Sequence, residues 1–375
     1  MLTKISFCVL SALSSMVAAD INVGVLAPFS KNFDYLGRDM YDGVRTAAYA
    51  INKNGGINGE KINLIPLDDQ GIASKGIELS NQLFKKNVSA VLGISNIGEA
   101  KLLAPIYQKA QVPLIINLEN ADNIVDRLSG DAPNPVFRVA LKNADMAEVL
   151  IHKLVDVDKH KKIAIIVDNT IFGLQGRDAM VKALAKRKVE PVYSTSYKAN
   201  LNDFDNLIPK ARESNADALI VYGVGVDLSA ARLAINRYGW APKIVGAWTL
   251  ASQNYISLVG SFSENTMMPI STVYSEGYFY DIRQLYRYVT QNQLLPNSYA
   301  SFAQGYDSML LLGQALKESS SKKGADVIQS LETMKTPVHG LIKTYNQPFS
   351  KGREALTSDD GVLAIIKDGS VIKTK

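Results

Sequence analysis

Past its first 19 residues the chain opens on an apolar run at 21–26, which breaks at Ala27-Pro28-Phe29-Ser30. The pattern then turns helical, with Met40, Val44, Ala47, Ala48 and Ile51 on one face until Gly55-Gly56 ends it. A second apolar run, 62–67, ends in Asp68-Asp69. The order is strand, loop, helix, strand, and such a crossover within one sheet is almost always parallel and right-handed. The loop after the first strand then sits at the carboxyl edge of the sheet, where open α/β folds keep their ligands.

The same rhythm runs on. Helical spacing at 73–86 and 99–110 alternates with strand runs at 90–94 and 113–116. The rigid stretch Ala132-Pro133-Asn134-Pro135 interrupts it before a short strand at 136–139. A second series predicts helices at 144–157, 177–188, 204–214 and 228–238, with strands at 163–167, 192–197, 218–222 and 244–246. The run 163–167 is apolar throughout, as a strand buried on both faces should be. A further strand is expected at 266–269, helices at 280–292, 299–317 and 325–334, and a turn-rich segment at 337–361. A hairpin closes the chain, 363–367 and 371–373 about the turn Asp368-Gly369. The pattern predicts an α/β protein made of two doubly wound parallel-sheet units. Length agrees, since single cores stop growing at roughly 250–300 residues.

Composition adds an address. Lys4, an apolar-to-small stretch at 5–16 and Val17-Ala18-Ala19 ahead of Asp20 read as an export signal over 1–19. The sole cysteine, Cys8, lies inside it, so disulfides and thiol chemistry are not expected in the mature chain. A lipid anchor would need a cysteine where Asp20 stands. No other apolar run reaches the roughly 20 residues that cross a bilayer, so a soluble periplasmic protein is expected. The formal charge of +5 falls by one with Lys4, and no basic face is concentrated enough for nucleic acid. A modest bias toward anionic ligands is all it supports.

Catalytic chemistry is hard to find. His152, His160 and His339 are scattered; the first two flank a Lys- and Asp-rich helix end and read as surface, and with no ligand-spaced partner no metal site is expected. Gly93-Ile94-Ser95-Asn96-Ile97-Gly98 has one residue too many for a nucleophile elbow. A dinucleotide loop at Gly223-Val224-Gly225 would need its third glycine at Leu228, so a tight strand-to-helix turn is the better reading. Asp68-Asp69 reads as a helix N-cap and strand-end hydrogen bonding. No catalytic residue and no cofactor are assigned.

The string AINKNGGINGEKINLIPLDD, residues 50–69, resembles the signature of the Leu/Ile/Val-binding family of type I periplasmic substrate-binding proteins. The resemblance implies two lobes joined by three crossing strands, near Arg138, Met268 and Gly340. Residues 20–138 with 270–340 would form lobe 1, and 139–269 with 341–375 lobe 2. It also implies a monomer that closes over a small molecule and docks on the membrane permease of an ABC importer. A receptor's sensing subunit is the alternative binding module, and an enzyme the third.

Amino-acid binders of the family hold the ligand's carboxylate and ammonium with a serine and a threonine of the first lobe. Those places fall here at Ile97 and at or near Asn120. In the second lobe the family's aromatic falls at Phe172, its ammonium-binding glutamate at Trp248, and a further aromatic at Gly225. Tyr306 keeps the hinge-side aromatic, and Tyr35 and Leu36 sit where the first loop meets ligand. A buried ammonium without its carboxylate costs several kcal/mol, so a wider, more apolar cleft is expected. Its ligand would have an aromatic or apolar body, stacked on an indole whose N–H is free to donate, and a polar or anionic end. Candidates for that end are Ser30, Ser95, Asn96, Asn117, Asn120, Thr249 and the N–H groups of helix starts. Glu119 offers an ammonium partner and keeps amino acids open. Packing is the alternative role for Trp248 and Phe172.

Overall fold

The computed structural model describes residues 20–31, 34–125, 133–199, 204–274, 283–294 and 296–374. The expected export signal lies outside them. The first unit runs β1 (Ile21–Ala27), α1 (Asp34–Lys53), β2 (Ile62–Asp68), α2 (Ala73–Lys85), β3 (Ala90–Gly93), α3 (Ile97–Ala110), β4 (Leu114–Ile116) and β5 (Val136–Arg138). Its sheet has the order β2-β1-β3-β4-β5, and every pairing is parallel. All of β1 but Asn22 is buried, because α1 and α2 leave neither face of the sheet to water.

The second unit runs α4 (Asn143–Ile151), β6 (Ile163–Asp168), α5 (Ile171–Ala185), β7 (Tyr193–Tyr197), α6 (Phe204–Glu213), β8 (Ala218–Tyr222), α7 (Val226–Arg237), β9 (Lys243–Gly246), α8 (Gln253–Val259) and β10 (Met267–Ile270). Its strands are ordered β7-β6-β8-β9-β10, the winding of the first sheet repeated. The chain then supplies α9 (Arg283–Gln291), α10 (Tyr299–Glu318), which packs on α1, and α11 (Gly324–Thr333). A two-stranded turn, β11 (Val338–His339) with β12 (Thr344–Tyr345), follows. The hairpin β13 (Val362–Lys367) and β14 (Ser370–Lys373) joins the second sheet antiparallel to β10, so that sheet is mixed.

Four differences from the expected elements have local causes. Helix α5 begins at Ile171, six residues before 177, because the Thr170 side chain accepts the Gly173 N–H at 3.2 Å and caps it. Glycines hide this start: a Cβ on Gly176 would lie 2.2 Å from the Tyr222 ring. The helix expected over 144–157 is α-helical only to Ile151 and widens to a π-helix over His152–Val157. Helix α8, capped by Ser252, was absent from the expected set. Neither aspartate of Asp68-Asp69 caps α2, whose N-cap is Ile72 without a side-chain bond. The strand-end role holds for Asp68, which accepts from the Phe29 and Gln70 N–H groups and the Ser30 hydroxyl.

The chain passes between the two sheets after β5, around β10 and again at 353–355. That last segment runs beside β5, with Arg138 N–H donating to the Arg353 carbonyl and Ala355 N–H to the Arg138 carbonyl, both at 2.8 Å. Gly340, where a crossing was expected, precedes it on the first unit's side. Asp307 of α10 holds that turn through the N–H groups of Leu341 and Ile342 and the Tyr345 hydroxyl.

Candidate functional site

Identical winding puts a switch point in each sheet, between β1 and β3 and between β6 and β8. The carboxyl-end loops of both sheets meet around one cavity of about 510 Å³. The first sheet contributes Lys31 and Leu36 after β1, Gln70 to Ile72 after β2, Ser95 to Gly98 after β3, and Leu118 to Asn120 after β4. The second contributes Thr170 to Phe172 after β6, Val224 after β8 and Trp248 after β9.

Eight of the residues singled out from sequence line this cavity: Leu36, Ser95, Asn96, Ile97, Glu119, Asn120, Phe172 and Trp248. Several are already engaged. Asn96 caps α3, accepting the Glu99 N–H at 2.8 Å and donating to the Glu99 carboxylate at 3.1 Å. The Trp248 indole N–H is not free, since it donates to Asn120 Oδ1 at 3.1 Å and ties the two units together. Asn120 in turn donates to the Leu141 carbonyl at 2.6 Å. Phe172 lies 4.8 Å from the Tyr222 ring and packs against the apolar clusters of both sheets.

The other six lie outside the lining. Ser30 donates to Asp68 at 2.6 Å, and Thr249 donates to the Gly223 carbonyl at 2.6 Å. Tyr35 shares a hydrogen bond with Ser252 of the second unit, and burial pushes its hydroxyl upward in pKa. Tyr306 packs beside Phe302, and Gly225 is the N-cap of α7 at φ +74°, leaving Val224 to face the cavity. Asn117 is fully buried, with neither side-chain polar atom hydrogen-bonded.

Glu119 is the one carboxylate among the described lining residues, and it is committed. Its Oε1 accepts the Ala121 N–H, and its Oε2 lies 3.5 Å from Arg138 Nη1. Burial pushes its pKa up while Arg138 opposes. Arg138, itself 0% exposed, also donates from Nε to Glu354 at 2.7 Å and from Nη1 to the Ala121 carbonyl. A buried guanidinium therefore shares that carboxylate's field, while Oε2 itself accepts no hydrogen bond.

A family model described as periplasmic binding protein matches residues 20–362. The chain belongs to that family. Leu/Ile/Val-binding protein homolog 3 of Brucella melitensis is 25% identical over 267 residues, which cover 71% of this chain and 72% of that protein. The branched-chain amino acid transporter substrate-binding protein LivJ of Streptococcus pneumoniae, solved with isoleucine, superposes with a TM-score of 0.80 at 18% identity. The alignment covers 95% of this chain and all of that one. A solute-binding protein of an ABC transporter from Rhodopseudomonas palustris, solved with 4-hydroxybenzoate, gives 0.80 at 15% identity, over 95% and 96% of the two chains. The fold is that of type I periplasmic binding proteins.

Within this binding protein, Lys31 is the sole cation of the described lining, at φ +68° and without an ion partner among the described residues. Sequence reasoning missed it, because one lysine in a polar loop carries no spacing signal. The first turns of α3 and α5 also converge on the cavity, through Ile97 and Gly98 from one and Ile171 and Phe172 from the other. First-turn N–H groups have no carbonyl within their own helix, and they carry the positive end of its dipole. One lysine and two helix starts make the cavity attractive to an anion.

Proposed function

We propose that this chain is the exported binding subunit of an ATP-driven importer, closing two lobes over a flat apolar carboxylic acid, aromatic in the first instance. The observation that carries the reading is the commitment of Glu119 to Arg138, which leaves no free carboxylate in the lining for an ammonium. Apolar side chains of Ile72, Ile97, Leu118, Ile171, Phe172 and Trp248 would enclose the ligand's body, and Lys31 with the two helix starts would take its carboxylate. The lobes would be 20–138 with 270–353, and 139–269 with 354–375, the last boundary moved from 340 to the crossing beside β5. Residues 1–19 would direct export to the periplasm. No described helix is long and apolar enough to cross a membrane, so the permease would be a separate partner.

Neighbours on this fold have been solved with isoleucine and with 4-hydroxybenzoate, so both ligand classes suit the architecture. The second reading, an amino acid or amide, is favoured by Glu119 Oε2, which accepts no hydrogen bond. Thermal unfolding of residues 20–375 with 4-hydroxybenzoate, phenylacetate, leucine, valine and their amides separates the two. A ligand at 100-fold its Kd adds about 2.7 kcal/mol, and the aromatic acids are expected to give it. A shift with leucine and none with the aromatic acids would overturn the proposal.

A further inference from the structure

Behind the cavity wall lie two carboxyl groups that anion recognition does not use. Asp69 and Glu99 are both 0% exposed. Asp69 Oδ1 accepts the Gly71 N–H at 2.7 Å, and Glu99 Oε2 accepts from the Asn96 amide, which also reaches the Gly71 carbonyl at 3.5 Å. Gly71 and Asn96 both line the cavity, so the two acids hold one patch of its wall from behind. The remaining oxygens, Asp69 Oδ2 and Glu99 Oε1, have no hydrogen-bond partner. The α2 helix is shaped around this arrangement: a Cβ on Gly76 would lie 2.1 Å from Glu99 Oε1. A glycine inside a helix costs roughly 0.5–1 kcal/mol against alanine, and here it leaves room for a carboxyl group.

We propose that Asp69 and Glu99 are positioning residues that share a proton and thereby hold the cavity wall at Gly71 and Asn96. Two ionised carboxylates offer only acceptors, so both free oxygens would stay unpaired and two like charges would be buried behind one patch of wall. One proton supplies the missing donor and removes the repulsion. The surroundings favour that state. Burial pushes Glu99 up to about 8, and the charge of Asp69 adds to it. Burial also pushes Asp69 up to about 6, against the Gly71 N–H, with Asp68 and Lys75 as its charged neighbours. Tyr107 of α3 and Ser80 of α2 are hydrogen-bonded to each other beside the pair and bring no further charge.

The test begins without any ligand, on residues 20–375 melted between pH 4.5 and 9. An acid whose folded pKa is raised stabilises the fold below its unfolded value and loses that contribution as pH climbs through the folded one. The wild-type melting temperature is therefore expected to fall across pH 5–8, and Glu99→Gln to flatten part of that fall. Asp69→Asn, the second variant, should act in the same direction. Asp39 and Asp307, each raised to about 7 by burial, add a slope common to all three proteins. Identical slopes in wild type and both variants overturn the shared proton.

The second arm rests on the anionic-ligand reading and uses benzoate as the probe. Its affinity for wild type is expected to weaken above pH 7, by at most about tenfold per pH unit for one proton taken up. Glu99→Gln should show no such decline. A pH-independent wild-type affinity overturns the positioning role. Failure of benzoate to bind at any pH, with the melting slopes as expected, counts against the ligand reading and leaves the pair supported by the first arm.

Discussion

The two walls of the cavity are built from loops at equivalent places in two sheets of identical winding, yet they differ in kind. The first sheet supplies polar Lys31, Gln70, Ser95, Asn96, Glu119 and Asn120 among apolar Leu36, Ile72, Ile97 and Leu118, backed by the buried acids Asp69 and Glu99. The second supplies Ile171, Phe172, Val224 and Trp248, with Thr170 the one hydroxyl among the described lining residues. Strand-end aspartates show the same split. The hydrogen bonds from Ser30, Phe29 and Gln70 outweigh burial and hold Asp68 below the usual carboxylate range. Asp168, at the end of β6, is fully buried, and burial lifts it above that range despite the hydrogen bonds from Thr170. Both walls can read a ligand's shape, but only the first carries groups that read its charge. The winding alone dictates neither.

The hardest blow to this division is Arg138→Leu. It leaves Glu119 and Glu354 without their cation and turns the polar wall negative. Breaking a buried ion pair in this way costs about 3–5 kcal/mol, to be read from the urea midpoint, and anion binding should be lost with it. An unchanged midpoint would mean the pair is dispensable. Next comes Trp248→Ala, which strips the largest side chain from the apolar wall and cuts its link to Asn120. Hot-spot truncations cost about 2–4 kcal/mol, so titration calorimetry should show the ligand's Kd rising by at least tenfold. Unchanged affinity would make Trp248 packing between the units. The mildest change is Lys31→Gln. Its lysine is exposed, so affinity should drop by no more than about 1 kcal/mol, and less at high salt. The melting temperature should hold, and a large drop in it would give Lys31 a structural role instead.

What was legible in the sequence follows from the range of the forces involved. Buried strands such as β6 declare themselves by unbroken apolar runs, and α1 by its apolar stripe, because both signals are local. The site was legible only as a set of places. Ile97 and Phe172 line the cavity, but the engagement of the polar groups was not visible. Asn120 and Trp248 meet across 128 positions, and Arg138 and Glu354 across 216. No spacing rule connects residues so far apart. The start of α5 was hidden for a different reason: Gly173 and Gly176 weaken its helical signal, although Thr170 at the cap position could have marked it.

The bond between the Trp248 indole and Asn120 also makes the molecule its own optical reporter. The chain has two tryptophans, and the other, Trp240, follows the end of α7 outside the cavity lining. A solute that displaces the Asn120 oxygen, or stacks on the indole, changes the polarity around one fluorophore and leaves the second unchanged. Trp240→Phe would therefore give a single-emitter protein whose emission wavelength follows occupancy directly, without a dye or a label.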